Sequence, residues 1–192
     1  MADINRRQQV VSAAEKSFSL FGYKATTMEQ VARLAHVGKG TIYNFFENKE
    51  ELFREILHSI IADMKRITEQ TVKEEHSFLD NVHESMDVLL EYRQEHELLL
   101  KLFQEVHDFG TPQAKEGLQK VETAILEYLE RQVKRAMTLG QIRQEDPKIV
   151  AFVLFKLYVT LASDWNKVHP ALHKEQIKAF VGHFLKNGLS PT

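Results

Sequence analysis

The chain has 192 residues, 43% of them hydrophobic and 27% charged, with no cysteine and a formal net charge of −2. That is the composition of an ordinary folded domain, or of two small ones, and it excludes disulfides and thiolate chemistry. Met1 to Arg7 carry no apolar run that would act as a leader. The longest apolar stretch, Ile149 to Ala162, is shorter than a membrane span and has Lys156 in its middle, so the expectation is a cytoplasmic protein with no membrane contact.

Helix one is predicted from about Ile4 to Phe21, where Val11, Ala14, Phe18 and Phe21 recur at three- and four-residue steps as one buried stripe. Gly22 follows, where a left-handed cap ends helices. Arg6 and Arg7 stand at its start. Thr27 is an N-cap for a short second helix with Val31, Ala32, Leu34 and Ala35 as its apolar face. Val37 and Gly38 break that run, and a third helix starts at Lys39 with Ile42, Phe45 and Phe46 on one side. Ala32 is small enough for the two helices to cross closely, with Val31, Val37 and Ile42 filling the angle. Two short helices joined in this way form a helix-turn-helix, whose second helix enters the DNA major groove. Residues 1–50 hold seven Lys and Arg against five Asp and Glu, a net +2, so the remainder carries −4 of the overall −2. A positive head on a negative body agrees with DNA binding at one end.

The run Phe18, Phe21-Gly22-Tyr23, Ala25-Thr26-Thr27, Val31-Ala32, Val37-Gly38-Lys39-Gly40-Thr41-Ile42-Tyr43-Asn44-Phe45-Phe46, Asn48-Lys49-Glu50-Glu51-Leu52 resembles the TetR/AcrR family of bacterial transcriptional regulators. The likeness covers roughly the first quarter of the chain. It departs at the turn, where the family often has Gly and this chain has His36; a positive φ there is harder for His than for Gly. The resemblance implies that Thr27, Thr41, Tyr43 and Lys49 meet DNA phosphates. Base reading is expected from Lys39, Thr41 and Asn44 at the front of helix three: Lys donates to guanine, Asn pairs with adenine, and the Thr methyl meets that of thymine. Gly38 and Gly40 leave the backbone bare for close approach to the groove. Glycines around a lysine do not here make a phosphate loop, which needs Gly where Arg33 stands and Ser or Thr where Gly40 stands.

Asn48 and Glu51 form a capping-box arrangement opening a long fourth helix, with Leu52, Phe53, Ile56, Leu57, Ile60, Ile61, Met64 and Ile67 in helical period. Ser77 with Asp80 starts a fifth, through Val82, Met86, Leu89 and Leu90. Leu98, Leu99, Leu102, Phe103 and Val106 mark a sixth. Thr111-Pro112 opens a seventh that ends at Gly140, and Asp146-Pro147 an eighth, running to about Asn166 and apolar nearly all round. Ile177, Phe180, Val181, Phe184 and Leu185 stripe a ninth. The fold class is therefore all-α, about nine helices: a three-helix DNA-binding head (1–47) joined by a long helix to a helical ligand-binding and dimerisation body (48–192).

An eighth helix with so little polar surface needs cover. Helices eight and nine are expected to pair with those of a second copy through Phe152, Ile177, Phe180, Val181 and Phe184, giving a homodimer suited to a two-fold DNA operator. From the resemblance alone, the body binds a small hydrophobic ligand that releases DNA. Phe103, His107, Tyr128, Phe155, Tyr158 and Trp165 are the candidate lining, with Tyr92, Phe109, Phe152 and Asn166 as further suppliers. Controlled instead by a protein partner, the same head would still bind DNA. An enzyme is the weaker reading. Only Glu55-Ile56-Leu57-His58, with Asp80-Asn81-Val82-His83 as a poor second, has the Glu-x-x-His form of a di-iron bundle. His96-Glu97 lacks a second His, since Leu100 stands in its place. No metal or other cofactor is expected.

Overall fold

The computed structural model describes residues 2–108 and 110–189, with side chains for 5–108 and 110–184. Phe109 and the side chain of Leu185, both named above, lie outside the described residues. The chain is all-α: α1 Ala2–Ala25, α2 Met28–Leu34, α3 Lys39–Phe45, α4 Lys49–Thr71, α5 Phe78–Glu95, α6 Glu97–Asp108, α7 Pro112–Thr138, α8 Pro147–Val159 and α9 Lys174–Leu189. A π turn, Thr160–Asp164, and a 3-10 turn, Trp165–Lys167, follow α8.

Side-chain caps open α2, α4, α5 and α8. Thr27 accepts the Gln30 N–H while the Gln30 side chain accepts the Thr27 N–H, a complete capping box. Asn48 accepts the Glu51 N–H at 2.8 Å, but the Glu51 carboxylate reaches past Asn48 to the N–H of Glu47. Ser77 and Asp146 cap α5 and α8 as expected. The Thr111 hydroxyl does not cap α7; it donates to Glu105 at 2.5 Å.

The described residues pack as two compact units, Met1–Asp63 with Tyr92–Val121, and Met64–Glu91 with Glu122–Thr192. In the first, Val10, Ala14, Phe18, Val31, Ile42, Leu52, Leu98 and Leu102 are sealed from water. Each large apolar side chain so buried contributes about 1.5–3 kcal/mol. Phe53 meets Phe18 and Tyr23 at ring separations of 5.2 and 4.9 Å. Gly117 lets α7 lie close to α4, because a Cβ there would stand 3.1 Å from Leu57 and 3.3 Å from Phe53. The second unit buries Val82, Met86, Leu89, Leu129, Val133, Leu154, Ile177 and Val181. Among its buried polar groups, Ser85 pairs with Tyr128 at 2.9 Å, and His83 with Tyr158.

Four expectations need correction. Phe21 and Leu34 are 49% and 41% exposed rather than core; Tyr23 and Met28 are buried beside them instead. Gly22 kinks α1 without ending it, and helix resumes to Ala25. The α-helix of the eighth element stops at Val159, where an i→i+5 turn begins and Trp165 then folds back, its indole N–H donating to the Pro170 carbonyl. Finally, the helical stretch Pro147–Lys167, at 21 residues and mean hydropathy 1.3, is long and apolar enough to cross a bilayer by length and composition. The fold uses it otherwise: Val150, Ala151, Leu154, Phe155 and Tyr158 are buried within the unit, and Lys156 pairs with Glu122.

Candidate nucleic-acid interface

The tight turn between α2 and α3 is made by His36 at φ 53, with the Val37 N–H donating to the Ala32 carbonyl at 3.0 Å. Val31 and Ile42 are wholly buried and Ala32 nearly so, which fixes the crossing of the two helices. Val37 is only half-buried. This leaves Lys39, Gly40, Tyr43 and Asn44 exposed, and Thr41 half-exposed, along α3. A Cβ built on Gly40 meets nothing within 4 Å and one on Gly38 only the Thr41 hydroxyl at 3.8 Å. Neither glycine is demanded by the protein's own packing.

Lys39 lies 2.5 Å from Glu29 of α2 and 6.0 Å from the Tyr43 ring centre. The hydrogen bond and charge of each partner hold the Lys39 ammonium above, and the Glu29 carboxyl below, its usual range. Both are exposed, so Lys39 can exchange Glu29 for a nucleic-acid acceptor at small cost. Thr27 uses its oxygen in the capping box and keeps an O–H to donate. Arg7 is engaged with Glu55 at 2.9 Å and lies over the Phe46 ring, whereas Arg6 is exposed.

Lys49 is placed differently from the others. Its ammonium donates to the carbonyls of Tyr23 and Thr26 at 2.8 and 2.9 Å and sits 4.3 Å from the Tyr23 ring centre; burial pushes its pKa down. It closes the end of α1, keeping one N–H for other use. Sequence reasoning missed the residue opposite. The kink at Gly22 (φ 79) detaches the N–H groups of Tyr23 and Lys24 from the helical ladder, and Glu105 of α6 receives them at 2.6 and 3.2 Å. Glu105 is 5% exposed, and a Cβ at Gly22 would stand 2.5 Å from its carboxylate. The signal was present: Glu105 falls three residues after Leu102 on the inward face of α6, where an acid needs a partner.

The remaining predicted residues do not form one site. Phe103 and His107 are exposed in the first unit, with Arg93 stacked over Phe103. Tyr128, Phe155 and Tyr158 are buried in the second, while Trp165 is 37% exposed in the turn after α8. Of the expected dimer residues, Phe152, Phe180 and Phe184 are 50%, 55% and 58% exposed. Ile177 and Val181 point the other way on α9 and are covered within the chain. Ile149 and Val153, 64% and 45% exposed, extend the open face instead. Among the described residues no group of three or more His, Asp and Glu could hold a metal.

A three-helix head presenting a bare, polar second helix defines a helix-turn-helix DNA-binding regulator. The sequence model described as bacterial regulatory proteins, tetR family, matches residues 10–56. YhgD, an HTH-type transcriptional regulator of Bacillus subtilis strain 168, is 44% identical over 187 residues, 97% of this chain and 98% of its own. RutR of Escherichia coli K12 is 25% identical over 182 residues, 95% of this chain and 81% of its own. The chain belongs to the TetR family of DNA-binding transcriptional regulators. Solved structures share the fold: a SmeT–triclosan complex with TM-score 0.72 and 21% identity, covering 97% of this chain and 92% of its own, and the fatty acid degradation regulator FadR of Bacillus halodurans with TM-score 0.70 and 16% identity, covering 94% of each.

Proposed function

We propose that this regulator is a cytoplasmic, non-enzymatic repressor that binds a palindromic operator as a homodimer and leaves it when a small hydrophobic ligand enters the body. The observation that carries the reading is the exposed row Lys39, Gly40, Thr41, Tyr43 and Asn44 on a helix whose opposite side is locked by Ile42. In this reading residues 1–47 contact DNA: Lys39, Thr41 and Asn44 meet bases, and Thr27, Tyr43 and the start of α4 at Lys49 meet phosphates. Residues 48–192 dimerise and sense. The open apolar face of α8 and α9 supports the dimer, and the triclosan bound in SmeT supports an apolar effector.

Binding to DNA upstream of the chain's own gene, measured at two salt concentrations, tests it. Specific binding that weakens steeply with salt is expected. Tyr43→Phe should weaken binding on every sequence alike, whereas Lys39→Ala should also relax base preference by about 1–3 kcal/mol at one position. Base preference untouched by Lys39→Ala removes that residue from the reading set.

A further inference from the structure

In the second unit a cavity of about 250 Å3 opens among α5, α8 and α9, lined by Leu79, Val82, His83, Tyr158, Lys178 and Val181. Its walls are mainly apolar and its floor is polar but closed on itself. The buried His83 ring meets the Tyr158 hydroxyl through Nδ1 and approaches Asp87 to 3.4 Å through Nε2. Asp80, also in the lining, accepts from the Ser77 hydroxyl at 2.7 Å at the start of α5. Lys174 on α9 is paired with Glu91. Lys178 is the exception: half-buried at the cavity wall, it forms no ion pair or hydrogen bond among the described residues. Glu175, one turn earlier on α9, is exposed and stays beyond ion-pair distance of it.

Asp87 attracts Lys178 only at a distance, with no direct ion pair, so a carboxylate arriving beside the half-buried ammonium gains a charge-assisted hydrogen bond that no side chain here supplies. We infer that this cavity is the effector site and takes a small carboxylic acid, its carboxylate on Lys178 and its apolar body against Leu79, Val82 and Val181. The volume suits an acid of about eight heavy atoms, since one water occupies about 30 Å3. The inference rests on the ligand-released reading above and names that ligand's class and place.

Calorimetry of the full-length protein with benzoate, phenylacetate and hexanoate, each against its amide, tests it. At least one acid should bind about tenfold or more tightly than its amide. Lys178→Met should erase that preference. Gly182→Phe should remove binding by filling the cavity, since a Cβ at Gly182 meets nothing within 4 Å. Thermal unfolding of both variants reports separately on folding, and a folded variant that keeps the preference overturns the site. Acids and amides binding alike, or neither binding, overturns it too. The bound acid should also loosen the DNA complex about tenfold; an unchanged complex overturns the effector role. A ligand-free protein that binds no specific DNA would defeat the repressor reading while leaving the calorimetric result to stand.

Discussion

His36 carries the turn of the helix-turn-helix in a conformation that suits it poorly. At φ 53 its Cβ crowds the following carbonyl, a cost of roughly 1–2 kcal/mol that glycine avoids. Glycine gives part of this back through its freer unfolded chain. His36→Gly should therefore raise stability by about 0.5–1 kcal/mol, moving the thermal midpoint up by about 1–4 °C. A lower midpoint would mean that the imidazole makes a contact worth more than the strain. From the sequence this positive φ was a conditional expectation, raised because the family that the run resembles often has Gly where His36 stands.

For the elements, α8 and α9 show where periodicity informs and where it stops. The stripe Ile177, Phe180, Val181, Phe184 was read as one face, yet the structure divides it: Ile177 and Val181 inward, Phe180 and Phe184 outward with their rings stacked 6.5 Å apart. An apolar stripe wide enough to touch two surfaces cannot say which half meets which. Phe180→Glu with Phe184→Glu should convert dimers to monomers and weaken DNA binding, while leaving the helical signal intact. Light scattering that still reports dimers would move the interface elsewhere. The order of the helices, the caps at Thr27, Ser77 and Asp146 and the α2–α3 crossing were legible because they depend on neighbours in sequence. Glu105 and Lys49 were not: Glu105 meets N–H groups freed once Gly22 kinks α1, and Lys49 meets carbonyls at that helix's far end. Lys178 left no trace at all, because only the folded chain puts it on the cavity wall.

At the scale of the whole molecule, acid should destabilise the fold through His83. Burial holds its imidazole below the usual 6.5, so between that value and the folded one the unfolded chain binds more protons. The stabilisation is complete above about pH 6.5 and is lost as pH falls. Thermal midpoints taken from about pH 7 to pH 5.5 should drop in the native protein and drop less steeply in His83→Gln; parallel slopes would exclude His83 as the proton acceptor.

The Glu105 carboxylate also bears on how this protein could be re-engineered. Reader segments look portable, since the matched run ends at residue 56. Cut there, the head would keep Gly22 and its kink but lose the acid that receives the Tyr23 and Lys24 N–H groups, stranding donors that cost about 1–3 kcal/mol each when buried. A chimera joining this head to a foreign body would inherit that debt unless the new body supplied an acceptor at the place of Glu105. The smallest transplantable reader is therefore a discontinuous one, a head together with the stretch of α6 that completes it.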